Sequence, residues 1–473
     1  MRAETPVLLL VAAMATASLA SSEPESPGPT EPIAAPVQPS SAPTPVVEIR
    51  RRYTLKECLA FAEKNYPRIH EAAAQLSRMR GQLWEARTAP FSAFSANAGL
   101  VLAPTLQGTS LYSPNTDATI TSSMALAWRI GVEGAVPLWT FGKITSGIDA
   151  AIAQTKIGEQ GVRKARNEVR LSVRQAYYGV LLARDALSLL DEALSRVDKY
   201  LPRAEEKVRS GEGDDIQLLK LKIHRAELGA RRSEAQKQEH IALANLRFLT
   251  GMGPGLDVPD EPLRKVRHPL GSVTQYLAAA RLFRPEINMA RAGILARRAQ
   301  LELERARFYP DIVFAASASR SYAPEIDNQL NPFVYDEANY VRYGLGLVMK
   351  WSLDFLPRAA RVAQAEAQLE EIRATEQFAL GGVGVEVETA FADAEDAGKR
   401  LEAYSDAVRY ARQWLVKIQQ GIDVGTYDDE DIVDPAKEYA LRRFSQMSAT
   451  LDYNVAMAKL ALATGWDAVA PEE

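Results

Sequence analysis

The chain carries one plan twice. Leu249-Thr250-Gly251 returns as Ala463-Thr464-Gly465, Gly211-Glu212-Gly213-Asp214-Asp215 returns as Gly425-Thr426-Tyr427-Asp428-Asp429, and Val173 and Tyr177 return as Val387 and Phe391. All of these pairs share one offset, with no gap between them. Nearer the start of each half, Tyr66-Pro67-Arg68-Ile69 answers Arg284-Pro285-Glu286-Ile287, and Ala89-Pro90 answers Tyr309-Pro310, with small changes of length. Self-similarity on this scale means that one supersecondary unit is built twice. The two units span roughly 53–251 and 272–465.

Each unit has the same order of elements. A helix comes first, from Thr54 to about Arg87 and from Val273 to Arg307, stopped by Pro90 or Pro310 because proline cannot continue a helical ladder. Two strands follow, at about 91–103 and 124–138 in the first unit and about 311–322 and 340–353 in the second. A very long helix, a Gly/Asp turn and a second long helix complete the unit. Val169, Val173, Ala176, Val180, Ala183, Leu187, Leu190, Leu194, Val197 and Leu201 are spaced four, three, four, three without interruption. The copy runs through Val387, Phe391, Ala394, Leu401, Tyr404, Val408, Ala411, Leu415 and Ile418. Such a heptad seam implies coiled-coil packing. Between Lys143 and Arg209 the one proline is Pro202, so this helix can approach ~100 Å at 1.5 Å per residue. A compact domain has no need of such a rod, which must span something.

The strands alternate. Leu126, Trp128, Ile130, Val132, Val136 and Leu138 form one apolar set, and Tyr343, Leu345, Leu347, Met349 and Trp351 another. The intervening positions hold Arg129, Gly131 and Glu133, then Arg342, Gly344, Gly346 and Lys350. Period-two patterning of this length, with aromatics along or at the ends of the strands, fits a membrane barrel whose apolar positions meet lipid. Arg129, Glu133, Arg342 and Lys350 are then expected to face the pore lumen. Four strands cannot close a barrel, and an open edge in lipid leaves backbone groups unsatisfied, so strands must come from further copies of the chain. Three copies would supply twelve, the simplest closure.

The opening residues read as a signal peptide over 1–20: Arg2, an apolar run from Val7 to Leu19, and a Ser18-Leu19-Ala20 cleavage pattern. Residues 21–50 are rich in proline and serine and form an extended linker. No stretch is long and apolar enough for a transmembrane helix. Fifty-six basic against 60 acidic residues leave a net charge of −4, which argues against nucleic acid as the main partner. The lone Cys58 excludes internal disulfides and reads as a small buried side chain. His70, His224, His240 and His268 are scattered without metal-ligand spacing, and no catalytic triad order or phosphate loop stands out, so neither enzyme chemistry, a metal nor a cofactor is expected.

At this point the chain resembles the TolC-type outer-membrane efflux proteins. Tyr53-Thr54-Leu55 with Ala60 and Asn65-Tyr66-Pro67, Val136-Pro137-Leu138-Trp139 running to Phe141-Gly142, Gln175-Ala176-Tyr177-Tyr178 and Ile422-Asp423-Val424-Gly425-Thr426 carry the resemblance, which covers both repeats in register. It implies a homotrimer: a twelve-stranded barrel in the outer-membrane lipid above a periplasmic α-helical tube, docked on an adaptor protein and an inner-membrane transporter. It also implies an entrance narrowed by two aspartates, six and nine residues after the glycine of the second turn, which here are Asp431 and Asp434. Where some members lock the entrance with Tyr and Arg, this chain has Ile422 and Tyr427, and the first-turn counterpart of Asp431 is Gln217.

The expected fold is thus mainly α with a membrane β-barrel part, and the expected function a passive channel of a tripartite efflux or type I secretion system. The turns with Gly211 and Asp214, and with Gly425 and Asp428, are the expected adaptor-contacting tips. The alternative is a periplasmic coiled-coil adaptor or structural protein without a pore. Adaptors usually carry one hairpin flanked by small β domains, whereas two hairpins and two alternating strand pairs are present here.

Overall fold

The computed structural model of the chain describes residues 51–91, 93–107, 119–211, 214–326, 336, 338–427 and 429–465. The signal peptide, the proline-rich linker and Asp428 lie outside the described residues. Within them the fold is mainly helical, and its sheet is four-stranded and fully antiparallel, in the order β2-β3-β5-β6. These strands are β2 (Phe94–Gln107), β3 (Thr119–Trp139), β5 (Asp311–Tyr322) and β6 (Tyr340–Lys350). A separate two-residue parallel pair joins β1 (Arg51–Arg52) to β4 (Leu256–Asp257).

The expected first helix of each unit is two helices. α1 (Leu55–Asn65) is followed by α2 (Pro67–Thr88), and α5 (Val273–Phe283) by α6 (Pro285–Ala306). Proline pushes the residue before it out of the helical region. Tyr66 (φ −71°, ψ 124°) and Arg284 (φ −63°, ψ 119°) are accordingly extended, and Pro67 and Pro285 start the next helix at its first position. Thr54 and Glu57 close a capping box at the start of α1, and Ser272 and Gln275 do the same for α5.

The strand limits also differ from expectation. β2 starts later, because Ala89–Phe91 is a 3-10 turn after the helix, while the ladder continues through the Ser/Thr-rich stretch to Thr119↔Gln107. β6 stops at Lys350, and the backbone of 351–354 leaves the sheet to enter the next helix. Each register slip accompanies a proline: one between Pro104 and Leu106, the other between Pro137 and Trp139. A proline has no N–H to give the ladder, and a bulge absorbs the loss.

The long helices are α3 (Lys143–Arg209, 67 residues) and α7 (Phe355–Asp423, 69 residues), each about 100 Å long. α4 (Asp215–Thr250) returns along α3, and α8 (Val433–Thr464) along α7. Near the sheet the helices lie side by side in the order α2-α3-α6-α7; toward the turns the order is α4-α3-α8-α7. The repeats are therefore joined through α3, which packs on both α6 and α8. Every residue of both heptad seams is buried or half-buried, and burial along the first falls off toward the turn.

Each unit has its own core where the short helices meet the long ones. In the first, Cys58, Leu59, Ala62, Val173, Val180 and Leu246 are at most 2% exposed, and in the second Ile287, Val387, Ala394, Met457 and Leu460 are as deeply buried. Burial pushes the Cys58 thiol up to about 12. The segment between the repeats is tied down by Arg184, which donates to Glu239 at 2.8 Å, to the Val258 carbonyl at 2.6 Å and to Asp257. No described helix is long and apolar enough to cross a membrane.

Leu246 and Leu460 occupy the same place in the two cores and are both fully buried. Leu246→Ala and Leu460→Ala should each destabilise their unit by about 2–5 kcal/mol. Chemical unfolding followed by circular dichroism should show a loss of similar size for either variant.

Candidate functional site

The sheet sorts its side chains by register. Ala96, Val132, Ala318 and Tyr343 stand in one cross-strand row; so do Ala98, Ile130, Arg320 and Val341, and Phe314 pairs Val136 with Leu347. With Phe94, Leu100, Leu102, Leu126, Trp128, Ala316, Tyr322, Leu345 and Met349 these make one face, on which Arg320 is the one charged residue among those described. It is also open: Leu100 is 71% exposed, Leu345 76% and Tyr343 86%. A contiguous exposed apolar surface of this kind marks a membrane or interaction face.

The other face is mostly small or polar, carrying Ser95, Asn97, Ser317, Ser319 and Ser321, with Val101, Val313 and Val348 as its branched apolar residues. Arg129, Glu133, Arg342 and Lys350 all fall on it. Glu133 accepts a 3.1 Å bond from the Ser95 hydroxyl. The Arg342 guanidinium lies 3.6 Å from the centre of the Tyr340 ring, and that of Arg129 lies 5.8 Å from the same centre. At the helical end of the sheet, Lys143 donates to Asp311 at 2.7 Å and to the Tyr309 carbonyl at 2.8 Å, fastening the start of α3 to the start of β5.

Aromatic side chains mark both ends of the apolar face. Phe141 stacks on Tyr309 and meets Trp139 edge-on, while Phe355 stacks on Phe308 and meets Trp351 edge-on. The Trp351 indole donates to the Phe308 carbonyl at 3.0 Å. At the far end, Trp128 and Tyr322 face each other with ring centres 6.0 Å apart. From Ile312 to Tyr322 the rise is roughly 33 Å along the strand, and about 25 Å along an axis tilted by ~40° from it. That is the height of the apolar band of an outer-membrane barrel.

At the opposite end of the helices, the turns reverse the chain through Gly211 (φ 80°) and Gly425 (φ 76°), both in the left-handed region. Asp214 caps α4, accepting from the Ile216 N–H at 2.9 Å. Asp431 sits in a 3-10 turn (Asp429–Ile432), and Asp434 in the first turn of α8. Both line a groove of about 2200 Å³ between the two helical hairpins, together with Asp214, Gln217, Lys220 and Tyr427. The structure thus brings the two aspartates to one surface with the first-turn residues. Lys220, which the sequence reading passed over, stands at the shared offset from Asp434. The Tyr427 ring packs against the last turn of α7: a Cβ on Gly421 would come within 2.2 Å of it, and the Gly421 carbonyl accepts the Thr426 N–H at 2.7 Å. Gly421 is the signal in the sequence that could have placed this ring.

Gly211→Val and Gly425→Val should each cost about 1–2 kcal/mol, the penalty of a branched L-residue in the left-handed region. Since a Cβ meets nothing within 4 Å at either site, the loss should come from the backbone alone. Alanine should then lower the thermal midpoint, and valine should lower it further, because a β-branched side chain is the less tolerated at positive φ.

Comparison with known proteins agrees with this architecture. The chain is 25% identical over 285 residues to Protein CyaE of Bordetella pertussis, covering 59% of this chain and 57% of that protein. It is 23% identical over 302 residues to the cation efflux system protein CusC of Escherichia coli strain K12, covering 61% of this chain and 60% of the relative. In both cases the match spans less than two thirds of the relative's own length. The fold superposes on the CmeC outer membrane channel of Campylobacter jejuni with a TM-score of 0.70, at 15% identity, over 94% of this chain and 95% of that one. The sequence model of the outer membrane efflux proteins matches in two stretches, 59–252 and 277–466, one on each repeat. On the strength of that match over both units, the chain belongs to the outer membrane efflux protein family.

Proposed function

We propose that three copies of the chain assemble into a twelve-stranded barrel in the outer membrane, continued by a periplasmic tube of helices, and that this duct passively conducts solutes out of the cell. The observation that carries the reading is the four-stranded sheet with one apolar face, one polar face and two outer edges, β2 and β6, that pair with no other described strand. Closing it with copies of itself satisfies the edges, turns the apolar face to lipid and the polar face to water. Arg129, Glu133, Arg342 and Lys350 then line the lumen. The paired helices of about 100 Å carry the same bore through the periplasm. No bond is made or broken in such a duct, so the protein is a conduit and not an enzyme. An inner-membrane transporter supplies the driving force through a periplasmic adaptor, whose helices meet the tips at Gly211, Asp214, Gly425 and Asp428.

The test is extraction of the outer membrane and electrophoresis with and without heating, followed by single-channel recording. A heat-modifiable trimer that conducts supports the duct; a monomer released without detergent contradicts it. Leu345→Arg with Leu347→Arg should sharply reduce insertion, since a cation on the lipid face costs about 2–4 kcal/mol near the midplane.

At the entrance, threefold symmetry turns Asp431 and Asp434 into two stacked acidic rings, while Gln217 and Lys220 occupy the equivalent places on the other hairpin. Three like charges in a narrow passage concentrate cations. Asp431→Ala/Asp434→Ala channels should therefore lose cation preference and resist block by multivalent cations from the periplasmic side. Lys220→Ala should shift selectivity the opposite way. Unchanged selectivity and block in the double variant would leave the aspartates as solvated surface.

A further inference from the structure

One charge interrupts the apolar face of the sheet. Arg320 stands between Ile130 and Val341 in its cross-strand row, and no carboxylate among the described residues pairs with it. A guanidinium at the middle of a bilayer is strongly disfavoured, but at the interface it is tolerated, and Arg320 is placed accordingly. It lies at the end of β5 away from the helices, two residues before Tyr322, with its guanidinium 5.7 Å from the centre of the Trp128 ring. If the helices are periplasmic, that end is level with the headgroups of the outer leaflet.

Its surroundings have a definite form. The Trp128 ring beside it favours the cation at this place and makes no hydrogen bond to it, so the N–H donors remain for a partner. From Arg320 toward the helices, the next two positions on the same side of β5 are Ala318 and Ala316, and Phe314 closes the stretch. Val132 stands beside Ala318 on one flank, with Gly134 and the Phe94 ring packed on it beside Ala316, and Tyr343 and Leu345 stand on the other flank. The result is a headgroup-level cation at the top of a shallow apolar furrow, shaped for an anionic group attached to a hydrocarbon chain. A planar fork of donors pairs with two terminal oxygens of one phosphate, and a phosphomonoester, which carries more negative charge than a phosphodiester, pairs with it more strongly.

We propose that Arg320, with Trp128 beside it and the alanine-floored furrow below, binds the phosphate of a phosphorylated glycolipid of the outer leaflet, one site per protomer. The proposal rests on the membrane placement of the sheet given above. Since Arg320 is on the face opposite Arg129 and Arg342, the site is separate from the conduction path.

The test uses the full-length protein extracted as the native oligomer and native mass spectrometry. Four probes are titrated separately: bis-phosphorylated lipid A, the same lipid dephosphorylated, phosphatidylglycerol and inorganic phosphate. The wild type should retain bis-phosphorylated lipid A, and the loss of one charge-assisted contact in Arg320→Gln should weaken retention about tenfold. Arg320→Lys should fall between them, and all three proteins should conduct alike. Dephosphorylated lipid should bind the wild type as weakly as intact lipid binds Arg320→Gln, and inorganic phosphate should not register. Equal retention of lipid A by the wild type and Arg320→Gln would overturn the site, as would equal retention of phosphatidylglycerol and lipid A. Should Arg320→Gln not assemble, the comparison of phosphorylated with dephosphorylated lipid on the wild type decides alone. Failure of the membrane placement itself would look different, because no heat-modifiable oligomer would be recovered and no lipid of any class would be carried.

Discussion

Backbone hydrogen bonding at the edges of the sheet governs the rest of the molecule. β2 and β6 each turn one row of N–H and C=O groups outward, and the face between them is apolar enough to be at home only in lipid. Hydrocarbon offers those groups nothing, and each orphan costs several kcal/mol. Neither shortening the strands nor covering them is available, since no described element lies over either edge. In the proposed assembly, pairing with further copies satisfies them, and that closure fixes a symmetry axis, an inside and an outside. In that assembly the small, hydroxyl-rich residues line water, and most of the branched and aromatic residues line lipid.

The helices inherit that geometry. α3 and α7 are continuous from the strand ends to the turns, and Lys143 binds the first of them to β5 through Asp311 and the Tyr309 carbonyl. The cross-packing of α3 on α6 and α8 makes the repeats one wall, with the Arg184 bonds holding the connecting segment against it. In the proposed trimer, the same symmetry gathers the second hairpin's aspartates around the axis at the far end. Tyr427, folded on its own helix over Gly421, belongs to the same hairpin surface.

Much of this was legible in the sequence because two periods are strong. The heptad seams from Val169 and Val387 gave the long helices, and the alternation around Trp128 and Leu345 gave the two faces of the sheet. Features that need a partner strand or a single backbone angle were harder to read. The break at Tyr66-Pro67 and Arg284-Pro285 was visible as a repeated motif, yet its consequence for the helix depends on the extended residue before each proline. β1 and β4 are too short to show a period. β5 is built largely of alanine and serine, so its alternation is faint, and the place of Arg320 on the apolar face emerges only from the register with β3 and β6. The surface shared by Asp431, Asp434, Gln217 and Lys220 depends on how the two hairpins pack, which spacing along one chain does not encode.

Hydrogen–deuterium exchange of the extracted assembly, resolved strand by strand, tests the central claim most directly. If copies close the barrel, the amides of β2 and β6 exchange as slowly as those of β3 and β5, because every row is paired. Fast exchange confined to β2 and β6, beside protected β3 and β5, would mean that the edges stay open and would contradict the account.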